Sequence, residues 1–246
     1  MARLERCGVE GSRSGADTVI QASVDIDRFV KELSENVDMP VNLYLLGGGS
    51  MMYAGLKFFT KDIDLVVRTE GEYRCVVEAM ERMGFRSIRP GAGYSRMNLS
   101  DMLEREDGYR IDLFHDRVCG KLRLSEGMAS RATERTRHGG VILRSCSMED
   151  ILIFKSITER DGDLEDSKAI IVGARIDWKV FLGEVEAQVS EGEDVWITWI
   201  ADRLWLLKEQ AGLSVPVLDR IIRMADDFLE RWESELLDRN GLRGVP

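Results

Sequence analysis

The chain is poor in the residues that build soft-metal and disulfide sites. It has two histidines, His115 and His138, and four cysteines, Cys7, Cys75, Cys119 and Cys146, with no CxxC pair. A zinc site of Cys/His type needs closer spacing, so the sequence argues against one. In a reducing compartment cysteines scattered in this way are free thiols. No apolar run approaches the ~18 residues that a membrane-spanning helix requires. The N-terminal MARLERCGVEGSRSGAD lacks the apolar core of a signal peptide. Residues 1–15 read as a polar, flexible leader. The expected location is cytoplasmic, with no membrane partner. Internal repeats and low-complexity tracts are absent as well.

What is present is an ordinary globular balance. The chain has 246 residues, 44% of them apolar and 32% charged, which is enough for a core and for two domains. The net charge is −10, which argues against tight nonspecific binding to nucleic acid. The charge is uneven. Residues 117–144 carry seven Lys/Arg against two Asp/Glu, and residues 145–240 carry 11 against 22. The basic segment is either a solvated helix face or the place where a phosphate-rich acceptor, such as a tRNA end, lies.

Periodicity predicts alternating helices and strands in the first 145 residues. Helices are expected over 17–37, 50–57, 71–83 and 125–137. Strands are expected over 41–46, 62–67, 85–88, 97–102, 109–114 and 141–143, with a loop at 90–93 and a hairpin turn at 106–108. Ser147-Met148-Glu149-Asp150 is a cap sequence that opens another helix. After it, 164–172, 178–189, 195–210 and 217–237 all have helical spacing. The fold class is therefore α+β: a mixed sheet flanked by helices over 16–146, then an all-helical region over 147–246. Trp178, Trp196, Trp199, Trp205 and Trp232 fall on the helical stripes and are expected in the core.

Chemistry concentrates in Tyr44-Leu45-Leu46-Gly47-Gly48-Gly49-Ser50 and in Lys61-Asp62-Ile63-Asp64-Leu65. The glycine break lets a backbone come close to something, often phosphate. Asp-x-Asp on a strand puts both carboxylates on one face. Asp112 stands alone in the apolar strand Arg110-Ile111-Asp112-Leu113-Phe114. A buried carboxylate is rare unless it is paired or holds a metal. Asp62, Asp64 and Asp112 together suit one or two Mg²⁺ ions with open positions for phosphate oxygens. His115 is either a neighbour of this site or a plain edge histidine.

Gly48-Gly49-Ser50, Gly55-Leu56-Lys57, Thr60-Lys61-Asp62-Ile63-Asp64-Leu65 and the later Asp112 resemble the DNA polymerase β-type nucleotidyltransferase superfamily. The pattern is similar to its minimal, toxin-like branch, which includes AbiEii-type proteins. A second match is Ser147 to Lys155, then Arg160, then Asp163-Leu164-Glu165-Asp166. The sequence departs from the branch at Gly47-Gly48-Gly49-Ser50, which lacks the more usual Gly-Ser and fixed arginine. It departs also at Phe58 and Phe59, where some relatives are basic, and at Gly162.

The resemblance implies an enzyme that uses two Mg²⁺ to move an NMP from an NTP to a hydroxyl on an RNA end, a protein or a small molecule. It implies that Gly48, Gly49 and Ser50 contact phosphates and that Asp62, Asp64 and Asp112 bind metal. Asp112 would also orient or deprotonate the acceptor. Lys57, Lys61 or Lys155 would neutralise triphosphate, and Arg160, Asp163 and Asp166 would complete the pocket. Alternatively the fold is kept as a binding module that acts through an antitoxin-like partner, or as a homodimer.

Overall fold

The computed structural model describes residues 23–88, 101–158, 160–192 and 194–239. In chain order the first elements are α1 (Ser23–Ser34), β1 (Val41–Leu45), α2 (Gly47–Tyr53), β2 (Ile63–Val67), α3 (Glu70–Arg82), β3 (Arg86–Ile88), β4 (Asp101–Glu104) and β5 (Arg110–His115). Next come β6 (Arg117–Val118), β7 (Leu122–Arg123), α4 (Glu126–Arg131), β8 (Thr133–His138) and β9 (Val141–Ser145). Helices follow: α5 (Met148–Ser156), α6 (Asp161–Gly173), α7 (Trp178–Ser190), α8 (Trp196–Glu209) and α9 (Leu218–Arg239). The fold is α+β.

Seven strands form one mixed sheet in the order β3-β4-β5-β2-β1-β9-β8. The pairs β1–β9 and β2–β5 are parallel, and β1–β2, β3–β4, β4–β5 and β8–β9 are antiparallel. β6 and β7 pair as a separate ribbon.

Side chains on a strand alternate between faces, and here the alternation separates two cores. Leu43 and Leu45, Ile63 and Leu65, Ile111 and Leu113, and Leu143 pack with Phe29 and Leu33 of α1 and Val76 and Met80 of α3. The other face presents Tyr44, Val66 and Phe114 to the C-terminal helices, where Ile151, Phe154, Phe181, Leu204 and Ile221 join the same apolar cluster. Asp64 and Asp112, two residues before Val66 and Phe114, share this second face. Strand periodicity thus aims both carboxylates at the seam between sheet and helices.

Local signals account for most element ends. Thr69 accepts from the Glu72 amide and the Glu72 carboxylate returns to the Thr69 amide, a complete capping box at α3 worth ~1 kcal/mol. Ser147 caps α5 by accepting from the Asp150 amide. Asp150 is fully buried, and Arg131 at the end of α4 bridges it to Glu184 of α7, both at 2.6 Å. That clamp fixes α4, α5 and α7 together.

The helix expected over 125–137 is not one element. It stops at Arg131, and Thr133–His138 becomes edge strand β8. Thr133 and Thr136 are β-branched, and Gly139-Gly140 is the two-residue loop of a hairpin whose register sets His138 opposite Val141. Its charged, mostly exposed side chains suit an edge strand. The basic segment 117–144 is therefore spread over five elements and is not a single helix face. α2 begins at Gly47 rather than at Ser50. Trp205 and Trp232, expected in the core, are 48% and 53% exposed, because the buried stripes of α8 and α9 fall on other residues. The leader, the start of the first helix, the loop at 90–93 and the start of the strand over 97–102 lie outside the described residues.

Candidate active site

The site begins with one strand register. Asp64 of β2 lies opposite Asp112 of β5 in a parallel pair. Asp112 is 4% exposed. Its Oδ1 is buried without a hydrogen bond, and the Arg110 Nε lies 3.5 Å away as an ion pair. Burial, then the charge of Asp62, pushes the Asp112 carboxyl up to about 6. Burial, then the charges of Asp62 and Asp112, raises Asp64 well above the usual carboxylate range. Two acids held side by side in a desolvated place cannot both ionise cheaply without a cation.

Asp62 precedes β2, and its Oδ2 accepts from Arg110 Nη2 at 2.5 Å. Arg110 is two residues before Asp112 on β5, so it points from the same face. It thereby ties Asp62 to Asp112.

The three glycines have neighbours of their own. Gly47 has φ +52°, and a Cβ there would fall 2.0 Å from Asp64 Oδ2. A Cβ at Gly48 would meet Thr60 Oγ1 at 2.6 Å, and one at Gly49 would meet Leu45 Cδ1 at 2.8 Å. The close approach that the glycines permit in this structure is therefore to protein side chains, the first of them the Asp64 carboxylate. Ser50 is fully buried, and its hydroxyl donates to the Leu45 carbonyl at 2.6 Å. Ser145 in turn donates to Ser50 Oγ at 3.1 Å. These bonds pin α2 between β1 and β9.

A pocket of about 170 Å³ opens over this point, between the sheet and helices α5 and α6. Gly48, Lys57, Asp62, Asp64, Lys155, Arg160, Asp163 and Asp166 all line it. Residues from both halves of the chain thus converge. Asp112 lies in the sheet beside Asp64, behind that lining, as do the buried Gly49 and Ser50. Lys61 is exposed and does not line the pocket. His115 is at the far end of β5, with Nδ1 3.4 Å from Glu70 Oε2.

A protein family matches the chain over most of its length. Residues 21–200 match the family described as nucleotidyltransferase of unknown function (DUF6036). The chain belongs to this nucleotidyltransferase family. No curated protein sequence matches the chain.

The wall of the nucleotidyltransferase pocket opposite the acidic strands is an ion network. Lys155 of α5 donates to Asp163 at 2.5 Å and lies 2.8 Å from Asp166. Lys57 reaches both oxygens of Asp166, at 2.8 and 2.9 Å. Thr158 donates to Asp163 at 2.6 Å. Burial opposes the Lys155 charge, but Asp163 and Asp166 outweigh it and hold the ammonium above its ordinary range. The two lysines are thus drawn to α6, with carboxylates on their outer side. Between Lys57 and Thr60, both on the pocket wall, Phe58 is 89% exposed and Phe59 is also exposed.

Sequence reasoning did not select Gly47, Thr60, Arg110, Cys119 or Thr158. Arg110 had a signal, since it stands two residues before Asp112 in a strand. Cys119 lines the pocket, and burial pushes its thiol up to about 12, so it is inert there.

The residues present fit a hard divalent cation in part. Asp64 and Asp112 offer oxygen donors, one of them an unbonded buried oxygen. Among the described residues, however, no group of three or more His, Cys, Asp or Glu side chains is placed to hold a metal ion as it stands. Asp62 is turned to Arg110. Recruiting it requires that ion pair to open. Among the described residues no helix is long and apolar enough to cross a membrane.

Proposed function

We propose that the protein transfers an NMP from a nucleoside triphosphate to a hydroxyl acceptor, with Mg²⁺ at the acidic strands. The observation that carries this reading is the in-register pair Asp64 and Asp112, with Asp64 lining a pocket that also gathers Lys57 and Lys155 and Asp112 buried beside it. Asp64 and Asp112, joined by Asp62 once it leaves Arg110, would hold the ion. When bound, Mg²⁺ supplies charge neutralisation to the phosphate oxygens.

The chain's own residues do the rest. Burial and the charge of Asp62 push the Asp112 carboxyl up to about 6, so at neutral pH it would be ionised and able to accept the proton of an attacking hydroxyl that reaches it beside Asp64. The hydroxyl oxygen forms a bond to the α-phosphorus. The bond from that phosphorus to the bridging oxygen breaks, and pyrophosphate leaves with the electron pair. Lys57 and Lys155 stand where they can exchange part of their pairing with Asp166 for the leaving phosphates. The helical wall excludes water and orients the acceptor. Two Mg²⁺ ions are the expectation for such a transfer.

The test is transfer from labelled NTPs with Mg²⁺, by wild type and by Asp64→Asn. Turnover by wild type and its loss in the variant support the reading. Absence of NTP binding and turnover in wild type, or full activity in the variant, refutes it.

A second reading is favoured by one surface. α9 is acidic, and Leu229, Trp232 and Leu237 are exposed along it. This suits a nucleotidyltransferase fold that acts through a basic partner, as in a toxin–antitoxin pair of the AbiEii type. Co-purification of a small basic protein that Trp232→Glu releases tests it; unchanged retention by the variant counts against it.

A further inference from the structure

A second pocket, of about 410 Å³, adjoins the first and shares Thr158 and Arg160 with it. Its inner wall comes from α8. Trp199 and Arg203 both line it, four residues apart and so on one helix face.

Arg203 is 6% exposed. It donates one hydrogen bond from Nη2, to the Thr158 carbonyl. Among the described residues no carboxylate lies within the 4.0 Å of an ion pair with it. A guanidinium carries five N–H donors and is rarely buried unless paired. Asp163 is close enough for its charge to be felt, but it is already committed to Lys155 and Thr158. The Lys121 ammonium lies 4.2 Å above the Trp199 ring centroid but does not itself line the pocket. A largely buried cation on a cavity wall that forms no ion pair among the described residues, with Asp163 and Asp161 acting on it only from a distance, can receive an anion that arrives through the cavity.

We propose that this pocket is a subsite for a single phosphate group of the acceptor, anchored by Arg203. The term acceptor rests on the nucleotidyl-transfer reading; the phosphate site does not. The shared residues Thr158 and Arg160 join the subsite to the reaction pocket, so one molecule spans both. The charge balance limits what binds. Asp161 and Asp202 line the same pocket and are exposed. They oppose a polyphosphate, which bears several charges, and tolerate a monoester or diester. The triphosphate therefore belongs beside Lys57 and Lys155, and the acceptor's phosphate belongs here. Its source is either a nucleic-acid end or a small phosphorylated molecule.

The experiment titrates the full chain with inorganic phosphate, with a short single-stranded oligoribonucleotide and, separately, with an NTP and Mg²⁺. Arg203→Met should weaken phosphate and oligoribonucleotide at least tenfold, with NTP affinity unchanged, and Arg203→Lys should recover part of the loss. Asp202→Asn, at an exposed position that does not affect folding, should tighten phosphate about two- to fivefold at low salt. If Arg203→Met does not fold, Asp202→Asn decides alone. A folded Arg203→Met with wild-type phosphate affinity, an Asp202→Asn without effect, or a wild type that binds neither probe overturns the proposal. Oligoribonucleotide bound tenfold or more tighter than phosphate supports it and marks a nucleic-acid end; equal affinity supports it and marks a small molecule. Arg203-dependent phosphate binding without any NTP binding leaves the subsite standing and removes the nucleotidyl-transfer reading.

Discussion

Asp64 and Asp112 lie side by side in register across the parallel pair β2–β5, and among the described residues no lysine or arginine forms an ion pair with both. Arg110 pairs with Asp112 and Asp62, while Asp64 forms no ion pair among the described residues; Lys155 and Arg160 act on it only at longer range, and burial and the two acids outweigh them. Removing one charge should therefore relieve the folded state. Asp64→Asn is expected to stabilise the metal-free protein at pH 7.5 by about 1–2 kcal/mol and to abolish stabilisation by Mg²⁺. It should also lower transfer activity at least ~100-fold. Urea unfolding with EDTA or Mg²⁺, beside the labelled-NTP assay, checks this.

The pH dependence has a definite sign. The Asp112 value of about 6 lies above its ordinary 3.8, so the folded chain holds that proton more tightly than the unfolded chain. Its contribution is fully present below pH ~4 and is lost as pH rises through about 6. The difference between wild type and Asp112→Asn isolates the group. Relative to the variant, metal-free wild type should lose about 2–3 kcal/mol between pH 4 and 7.5. Mg²⁺ should restore much of that above pH 6. A pH-independent difference would show that the carboxyl is not held near its neutral form.

Gly47 is where the glycine turn meets the acid. Gly47→Ala would place a methyl 2.0 Å from Asp64 Oδ2, at a φ of +52°. The expected cost is about 2–4 kcal/mol, from steric conflict together with left-handed strain. In an Asp64→Ala background the nearest remaining side-chain atom is the residue-64 Cβ, at 3.5 Å, so only the backbone strain of ~1 kcal/mol should remain. A double-mutant cycle by urea unfolding measures this coupling. Additive costs would contradict the contact.

How far the sequence discloses this arrangement depends on the length scale of each signal. The carboxylates are legible because Asp62 and Asp64 stand two residues apart at the start of an apolar strand and because Asp112 interrupts an apolar run. The α5 cap is legible in Ser147 and Asp150. β8 is not, since Thr133 to His138 has no apolar period and its strand character comes from the hairpin at Gly139-Gly140 and from pairing with β9. The pairings Arg110–Asp62, Lys57–Asp166 and Arg131–Glu184 join residues 48, 109 and 53 positions apart. They depend on how elements dock, which local pattern does not encode. The glycine run signals a close backbone approach, but not that Asp64, Thr60 and Leu45 pack against its three Cα positions.

The helical wall of the pocket depends on Lys155. It is nearly buried, with Asp163 and Asp166 as partners. Lys155→Met removes the closest counter-charge of Asp163, while Asp166 keeps Lys57, and should cost about 3 kcal/mol. Lys57→Met, at a more open position, should cost about 1 kcal/mol or less and act mainly on NTP affinity. Unfolding free energies and NTP titrations of the two variants separate these roles. Equal destabilisation would contradict the assignment.

The most direct test of the central claim is a crystal structure with a nonhydrolysable NTP and Mn²⁺, whose anomalous signal locates the metal. The account predicts Mn²⁺ bound by Asp64 and Asp112, Asp62 released from Arg110 to join them, and the triphosphate beside Lys57 and Lys155. Mn²⁺ absent from that strand pair while the NTP is bound elsewhere would contradict it.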